Sequence, residues 1–94
     1  MFPLKVNFYA SLRKISGTKT VEFLFAPGST VRQLLQDVIT QFPEMYEKLL
    51  DQQGELDRHA HIYINGRNCL LLENGLATSL LPSDTVDIFP IGHF

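Results

Sequence analysis

One amphipathic helix with both ends marked in the sequence constrains the fold most. Thr30 is a good N-cap residue, and Gln33 three positions later completes the pattern of a capping box. Pro43 ends the helix, because a proline inside a helix removes a backbone hydrogen bond and clashes with the preceding turn. The apolar residues between these signals recur at the spacing of one helix face: Val31, Leu34, Leu35, Val38, Ile39 and Phe42. The chain must therefore supply a second apolar layer that covers this face.

Short runs with strand character lie on both sides of this helix and provide the second layer. Most of them alternate apolar and polar residues, which is the pattern of a half-buried strand. Asn65-Gly66 is a strong turn dipeptide between two runs, and Gly17 marks a turn between two others. One apolar run without alternation, residues 69–72, is predicted to be an edge strand. Numbered β1 to β5 in chain order, the predicted strands cover residues 5–10, 19–25, 61–64, 69–72 and 85–89.

The order of these elements predicts the fold class. A short second helix follows Pro43, since Met45 (or Tyr46) and Leu49 fall at helical spacing. Such a chain forms an α+β domain of two layers, with the main helix on one face of a mixed sheet of four to five strands. The last strand cannot reach the first by a tight hairpin, so it lies beside it in parallel. We predict the strand order β2-β1-β5-β3-β4, a β-grasp, as a single domain over residues 1–94 with residues 90–94 as a C-terminal tail.

Charge and composition exclude several classes of function. The formal net charge is −2 and the eight basic residues are scattered, whereas a nucleic-acid binder needs a basic stripe to meet phosphates. No apolar run approaches the roughly 18 residues of a membrane span, and the N-terminus lacks the layout of a signal peptide. The single cysteine, Cys69, lies in an apolar run and is predicted to be a small buried hydrophobic residue. We therefore predict a cytoplasmic protein without nucleic-acid or membrane partners.

The strand pattern also predicts a surface for protein partners. If the apolar residues of β1, β3 and β5 point at the helix, then Tyr9, Tyr63 and Phe89 point away from it. In the predicted sheet order these three strands are neighbours, so the open face carries an aromatic patch. Contiguous exposed apolar surface usually marks a partner site. The alternative is that these aromatic residues only pair with each other across the strands and stabilise the sheet.

Other residues with metal-binding or reactive side chains do not form a recognisable site in the sequence. His59 and His61 would point the same way along a strand, but a zinc site needs three or four ligands and no third one has a suitable spacing. We interpret these two histidines as a surface pair, and His93 as solvated. No glycine-rich phosphate loop or Ser/His/Asp set is present in the sequence. An enzyme active site, a bound metal and a cofactor are therefore not predicted.

A set of short fragments follows a familiar order along nearly the whole chain. They are Lys5-Val6-x-Phe8-Tyr9-Ala10-Ser11-Leu12-Arg13 with Gly17, Thr30-Val31-x-x-Leu34-Leu35, Phe42-Pro43, Gly54-Glu55-Leu56, Ile62-x-Ile64-Asn65-Gly66-Arg67, Gly75-Leu76-x-Thr78-x-Leu80 and Asp84-x-Val86-x-Ile88-Phe89-Pro90. Together these fragments resemble the MoaD/ThiS family of ubiquitin-like small sulfur carriers, and most closely its MoaD branch.

The resemblance implies how such a protein acts. Members of the family carry sulfur as a C-terminal thiocarboxylate, after an adenylating enzyme has activated the terminal glycine with ATP and Mg²⁺. In the MoaD branch the tail then enters the active site of the large subunit of molybdopterin synthase. The sheet face near the tail docks both partners, and Tyr9 and Phe89 match positions that are apolar contacts in the family. The resemblance implies a carrier or accessory subunit without an active site of its own.

The C-terminal tail departs from the family pattern. Family members end in Gly-Gly, whereas here Gly92 is followed by His93 and Phe94, and no two of the six glycines are adjacent. The family tail threads a narrow channel in extended form, which suits glycine because it has no Cβ to clash. The bulky last residue conflicts with that route.

Three functions stay open on these observations. The first is a carrier in molybdopterin (molybdenum or tungsten cofactor) biosynthesis or a related sulfur transfer, acting through its tail and sheet face. The second is a non-catalytic binding module that has lost the diglycine chemistry and acts by docking a partner protein. The third is an interaction protein in which Ile91 and Phe94 serve as an apolar C-terminal anchor.

Overall fold

Strands and helices follow one another closely along residues 1–92, the part of the chain that the computed structural model describes. The helices are α1 (Ser11–Ser16), α2 (Val31–Gln41) and α3 (Tyr46–Leu49). Short 3₁₀ turns lie at Pro43–Met45, Cys69–Leu71 and Gly75–Ala77. The strands are β1 (Phe2–Phe8), β2 (Thr20–Phe25), β3 (His61–Ile64), β4 (Arg67–Asn68) and β5 (Val86–Phe89).

The sheet has the strand order predicted from the sequence, β2-β1-β5-β3-β4. β1 and β5 are parallel, and the other neighbouring pairs are antiparallel. In the three central strands, Phe8 lies opposite Ile88 and Ile88 lies opposite Ile62, so one fully buried apolar row crosses the sheet. The β-grasp prediction is confirmed: a mixed five-stranded sheet shares one hydrophobic core with the main helix.

The main helix α2 begins where the capping signal predicts. The Gln33 backbone N–H donates to Thr30 Oγ1 at 3.4 Å, and the Thr30 N–H donates to Gln33 Oε1 at 3.0 Å. Both groups would lack a partner within the helix, so the exchange stabilises its first turn. The helix ends at Gln41, two residues before Pro43. The residues it buries in the core are those of the predicted stripe: Val31, Leu34, Leu35 and Val38.

The connection between β1 and β2 contains a short helix that the sequence pattern does not predict. α1 has six residues and buries only Leu12, so it shows no helical periodicity. It ends at Gly17, which has a positive φ of 80° and donates its N–H to the Arg13 carbonyl at 2.9 Å. The predicted extension of β1 to residue 10 is wrong, because Ala10 has φ 54° and breaks the strand geometry.

The predicted edge strand over residues 69–72 is also wrong. β4 has only two residues, and Cys69–Leu71 form a 3₁₀ turn instead. The Asn68 side chain accepts a hydrogen bond from the Leu70 N–H at 3.0 Å, which bends the chain away from the sheet. The turn leaves Leu71 exposed, whereas Cys69 is fully buried, as predicted for a small hydrophobic residue. Burial raises the pKa of the Cys69 thiol, so the side chain stays in its neutral form.

The short helix predicted after Pro43 is present as a 3₁₀ turn that runs into α3. Met45 and Leu49 are fully buried in the core, and Tyr46 between them is exposed. The helical spacing allowed either Met45 or Tyr46 to face the core, and in the structure it is Met45. Within residues 1–92, the helices are all too short and too polar to cross a membrane.

Candidate protein-docking surface

The outer face of the sheet, opposite the core, is built by the residues that alternate with the buried ones. In β5, Val86 and Ile88 are buried, whereas Asp87 and Phe89 are partly exposed. In β3, Ile62 and Ile64 are buried, and Tyr63 between them is partly exposed. Successive side chains of a strand point to opposite faces of the sheet. The positions of the buried residues therefore decide which residues reach the outer face.

Three aromatic residues on this face form what we call the aromatic cluster: Tyr9, Tyr63 and Phe89. The rings of Tyr9 and Phe89 are stacked, with centroids 4.3 Å apart and an angle of 7° between their planes. The Tyr63 ring meets Phe89 edge to face, with centroids 5.6 Å apart and an angle of 89°. Both are favoured geometries for aromatic pairs. The structure therefore brings together the three residues that the sequence places on the predicted docking face.

The polar edge of Tyr9 is held by Asp87. The Tyr9 hydroxyl donates to Asp87 Oδ1 at 2.8 Å, and Asn7 Nδ2 donates to the same oxygen at 3.0 Å. Thr20 Oγ1 donates in turn to Asn7 Oδ1 at 2.7 Å, so a polar row crosses from β2 to β5. The hydrogen bond to Asp87 raises the pKa of Tyr9, because it stabilises the neutral phenol. Burial and the negative charge of Asp87 act in the same direction, and Arg13 opposes them.

A shallow cleft of about 260 Å³ opens between these side chains. It is lined by the aromatic cluster together with Asp87 and Gly66. Gly66 has φ 80° and follows Asn65 with φ 53°, the positive values that a tight two-residue turn requires. Directly before β2, Lys19 Nζ lies 5.5 Å from the centre of the Tyr9 ring. The cleft therefore combines aromatic walls with one carboxylate.

Sequence reasoning missed the polar members of this surface. Asp87 and Asn7 alternate with buried residues on their strands. This alternation is the signal in the sequence that places them on the outer face, beside the aromatic cluster. Their contact joins residues 80 positions apart in the chain, so only the parallel pairing of β1 with β5 brings them together.

The first residues of the predicted tail are fastened to the domain. Pro90 is buried, and the Ile91 N–H donates to the Lys48 carbonyl at 2.9 Å. The Ile91 side chain, one of the two residues of the C-terminal anchor proposed from the sequence, is partly buried and packs against the core of its own chain. Gly92 is exposed and has φ 68°. The other two predicted tail residues, His93 and Phe94, lie outside the described residues.

The two neighbouring histidines do not share a strand. β3 begins at His61, so the alternation argument does not extend to His59. His59 Nδ1 lies 3.2 Å from Asp57 Oδ1, whereas His61 Nδ1 lies 3.4 Å from Asn68 Nδ2. Across residues 1–92, no group of three or more His, Cys, Asp or Glu side chains is placed to hold a metal ion.

β1 and β5 pair in parallel at the centre of the sheet, the main helix packs on its inner face, and α3 lies in the connection to β3. This arrangement defines a ubiquitin-like protein. When the chain is compared with models of protein families, the model of the ThiS family matches residues 6–92. The chain belongs to the ThiS family, whose members include the ubiquitin-like small modifiers and sulfur carriers of the ThiS and MoaD type.

Individual relatives support this assignment over most of the chain. Small archaeal modifier protein 3 of Haloferax volcanii is 29% identical over 87 residues, which cover 93% of this chain and 92% of the relative. Small archaeal modifier protein 1 from Methanosarcina acetivorans, known from a solution structure, is 30% identical to this chain and superposes with a TM-score of 0.75. The match covers 100% of this chain and 97% of the modifier protein. A chain in the BexX/CysO complex of Amycolatopsis orientalis is 26% identical, with a TM-score of 0.71 and coverage of 93% of both chains.

Proposed function

We propose that this protein docks a partner protein through Tyr9, Tyr63 and Phe89 and works as an accessory or carrier subunit. The observation that carries this proposal is the aromatic cluster, which spans three neighbouring strands and stays partly exposed. Tyrosine and phenylalanine are enriched at protein interfaces, because they bury a large area with little loss of side-chain freedom. The alternative is that pairing of the three rings serves only to stabilise the sheet.

The partner class follows from the family. Sulfur carriers and small modifiers of this type act by docking on enzymes, and the related chain from Amycolatopsis orientalis was solved in a complex. We assign the partner of this protein to the same class: an adenylating enzyme of the MoaD type, or a sulfur acceptor such as the large subunit of molybdopterin synthase. The pathway we propose is molybdenum or tungsten pterin cofactor synthesis or a related sulfur transfer, in the cytoplasm.

Two features of the chain bear on the choice between docking alone and sulfur transfer. No two of the six glycines in the 94 residues are adjacent, so a diglycine thiocarboxylate has no place among them. Ile91 is held by the hydrogen bond of its N–H to the Lys48 carbonyl and by its contact with the core. A non-catalytic binding module and a sulfur carrier would both use the docking face, and they differ in whether a thiocarboxylate forms.

Binding of a purified MoaD-type adenylating enzyme tests the docking proposal. We expect Tyr63→Ala to weaken binding at least about fivefold, because truncation of a central interface aromatic removes much of its burial. The matched control is Tyr46→Ala, which removes an exposed tyrosine from α3. Titration calorimetry should show control and wild-type affinities that agree. Equal affinities for all three proteins would reject the aromatic cluster as the docking surface.

Intact-mass spectrometry separates the two candidates. The protein is incubated with the adenylating enzyme, ATP, Mg²⁺ and a sulfur source, beside a family member that ends in Gly-Gly as the positive control. A binding module keeps its mass while the control gains one sulfur in place of one oxygen. A matching gain in this protein, on the full or a trimmed chain, would establish the carrier function instead.

A further inference from the structure

We propose that the cleft between Tyr9, Tyr63 and Phe89 receives an arginine side chain of the docked partner, with Asp87 as its counter-charge. The inference rests on the proposed docking function and specifies the chemistry of the partner at the centre of the contact. The structure supplies three independent features that a guanidinium group requires: a carboxylate, aromatic walls and room for a planar group.

The carboxylate at the cleft has acceptor capacity to spare. Both side-chain hydrogen bonds that Asp87 accepts within residues 1–92 end on Oδ1, from Tyr9 and from Asn7. These bonds restrict the orientation of the carboxyl group, because two donors at the end of β1 hold its Oδ1. An ionised carboxylate has about four lone-pair sites on its two oxygens, so Oδ2 can still accept from a donor outside the chain.

The aromatic walls select the kind of cation. A guanidinium is planar, stacks on aromatic faces and is more weakly hydrated than an ammonium, so it leaves water for a half-buried site at lower cost. Gly66 lines the cleft without a side chain, and the space around its Cα is open, because a Cβ at this position would meet no atom within 4 Å. A long side chain therefore has open access over the turn to Asp87.

Two basic residues of the described part of the chain, Lys19 and Arg13, act on Tyr9 without lining the cleft. Lys19 lies over the Tyr9 ring on the β2 side of the sheet, and Arg13 acts on Tyr9 from α1. Neither residue lines the cleft, whose charged member is Asp87. A cationic partner group thus meets a negative site at the centre of the surface and a positive rim on one side, which orients the partner as well as binding it.

The proposal is tested with a small probe that carries only the group in question. N-acetyl-arginine amide is titrated into the ¹⁵N-labelled full chain, and amide shifts are followed by NMR. N-acetyl-citrulline amide is the control, because it has nearly the same shape without the charge. We expect the arginine probe to shift the amides of Tyr63, Gly66 and Asp87, with an affinity about three- to tenfold higher than that of the citrulline probe. Added salt should reduce the difference.

The variant Asp87→Asn removes the charge and keeps an oxygen that can accept from Tyr9 and Asn7. We expect it to bind both probes equally, while Tyr63→Ala weakens both. Equal affinities of the wild-type protein for the two probes, or no shift near Gly66, would overturn the arginine site. The outcome is separable from the docking proposal, because the aromatic variants can still weaken binding of the adenylating enzyme when the arginine probe fails.

Discussion

The two faces of the sheet use the same three central strands for different purposes. On the inner face, Phe8, Ile62 and Ile88 form a row without solvent exposure. On the outer face, Tyr9 and Phe89, each adjacent in sequence to a member of that row, stay partly exposed. The inner residues contribute stability through burial. The outer residues lie outside the buried row, on the face that we propose meets a partner.

The inner face should respond most strongly to mutation. Phe8→Ala removes a ring that is fully buried and packs edge to face on Phe42, with centroids 5.8 Å apart. We expect the free energy of unfolding to fall by about 3–5 kcal/mol, because truncation loses apolar burial and leaves a cavity. Urea denaturation followed by circular dichroism measures the change. A loss below about 1 kcal/mol would show that the core refills the space and that the contrast between the faces is smaller than burial indicates.

On the outer face, a mutation should affect partner binding more than stability. Phe89→Ala removes the residue that contacts both tyrosines of the aromatic cluster. We expect the affinity for a MoaD-type adenylating enzyme to fall by more than about 1 kcal/mol, which is roughly fivefold. Calorimetric titration gives this value, and the same urea experiment shows whether the variant is still folded. Unchanged affinity in a folded variant would remove Phe89 from the docking surface.

The hydrogen bond from Tyr9, at the end of β1, to Asp87 in β5 should make a smaller, pH-dependent contribution to stability. Tyr9→Phe removes the bond to Asp87 and keeps the stacked ring, so we expect a loss of about 1 kcal/mol or less at neutral pH. The pKa of Tyr9 is raised in the folded protein, so the unfolded chain loses this proton first as the pH rises past about 10. The wild-type advantage should therefore be complete below that pH and shrink above it.

Unfolding curves of both proteins between neutral pH and pH values above the tyrosine range check this prediction. Because Tyr9→Phe lacks only this phenol, the difference between the two curves isolates its titration. A difference that grows with pH would mean that Asp87 stabilises the phenolate rather than the phenol, contrary to the geometry.

A mutation at the edge of the outer face should change stability and partner affinity very little. Leu24 lies on β2 and is 58% exposed, so Leu24→Ala truncates an apolar side chain on the outer face far along the sheet from β3. We expect the free energy of unfolding to change by no more than about 0.5 kcal/mol and the partner affinity to stay the same. A loss of affinity comparable to that of Phe89→Ala would extend the docking surface across the whole sheet.

Much of the fold could be predicted because local patterns agree with the final structure. The capping box and the apolar stripe of α2 are both local, and both are present as predicted. Alternation in β1, β3 and β5 correctly separated the inner residues from Tyr9, Tyr63 and Phe89. The predictions failed where an element is too short to show a period: α1 has six residues and β4 has two. Over so few positions, an Asn side chain or one positive φ outweighs the hydrophobic pattern.

By itself, the sequence determined the boundaries of α2 and the residues of the central strands that face outward, because these depend on periodicity and turn chemistry over a few neighbouring positions. Only the tertiary structure decided how the outer face works. The bonds of Asp87 to Tyr9 and Asn7 join strands about as far apart in sequence as the chain allows. The fastening of Ile91 to Lys48 likewise joins the tail to a helix from the middle of the chain. Contacts of this kind arise from the packing of distant segments, and no local pattern records which segments will meet.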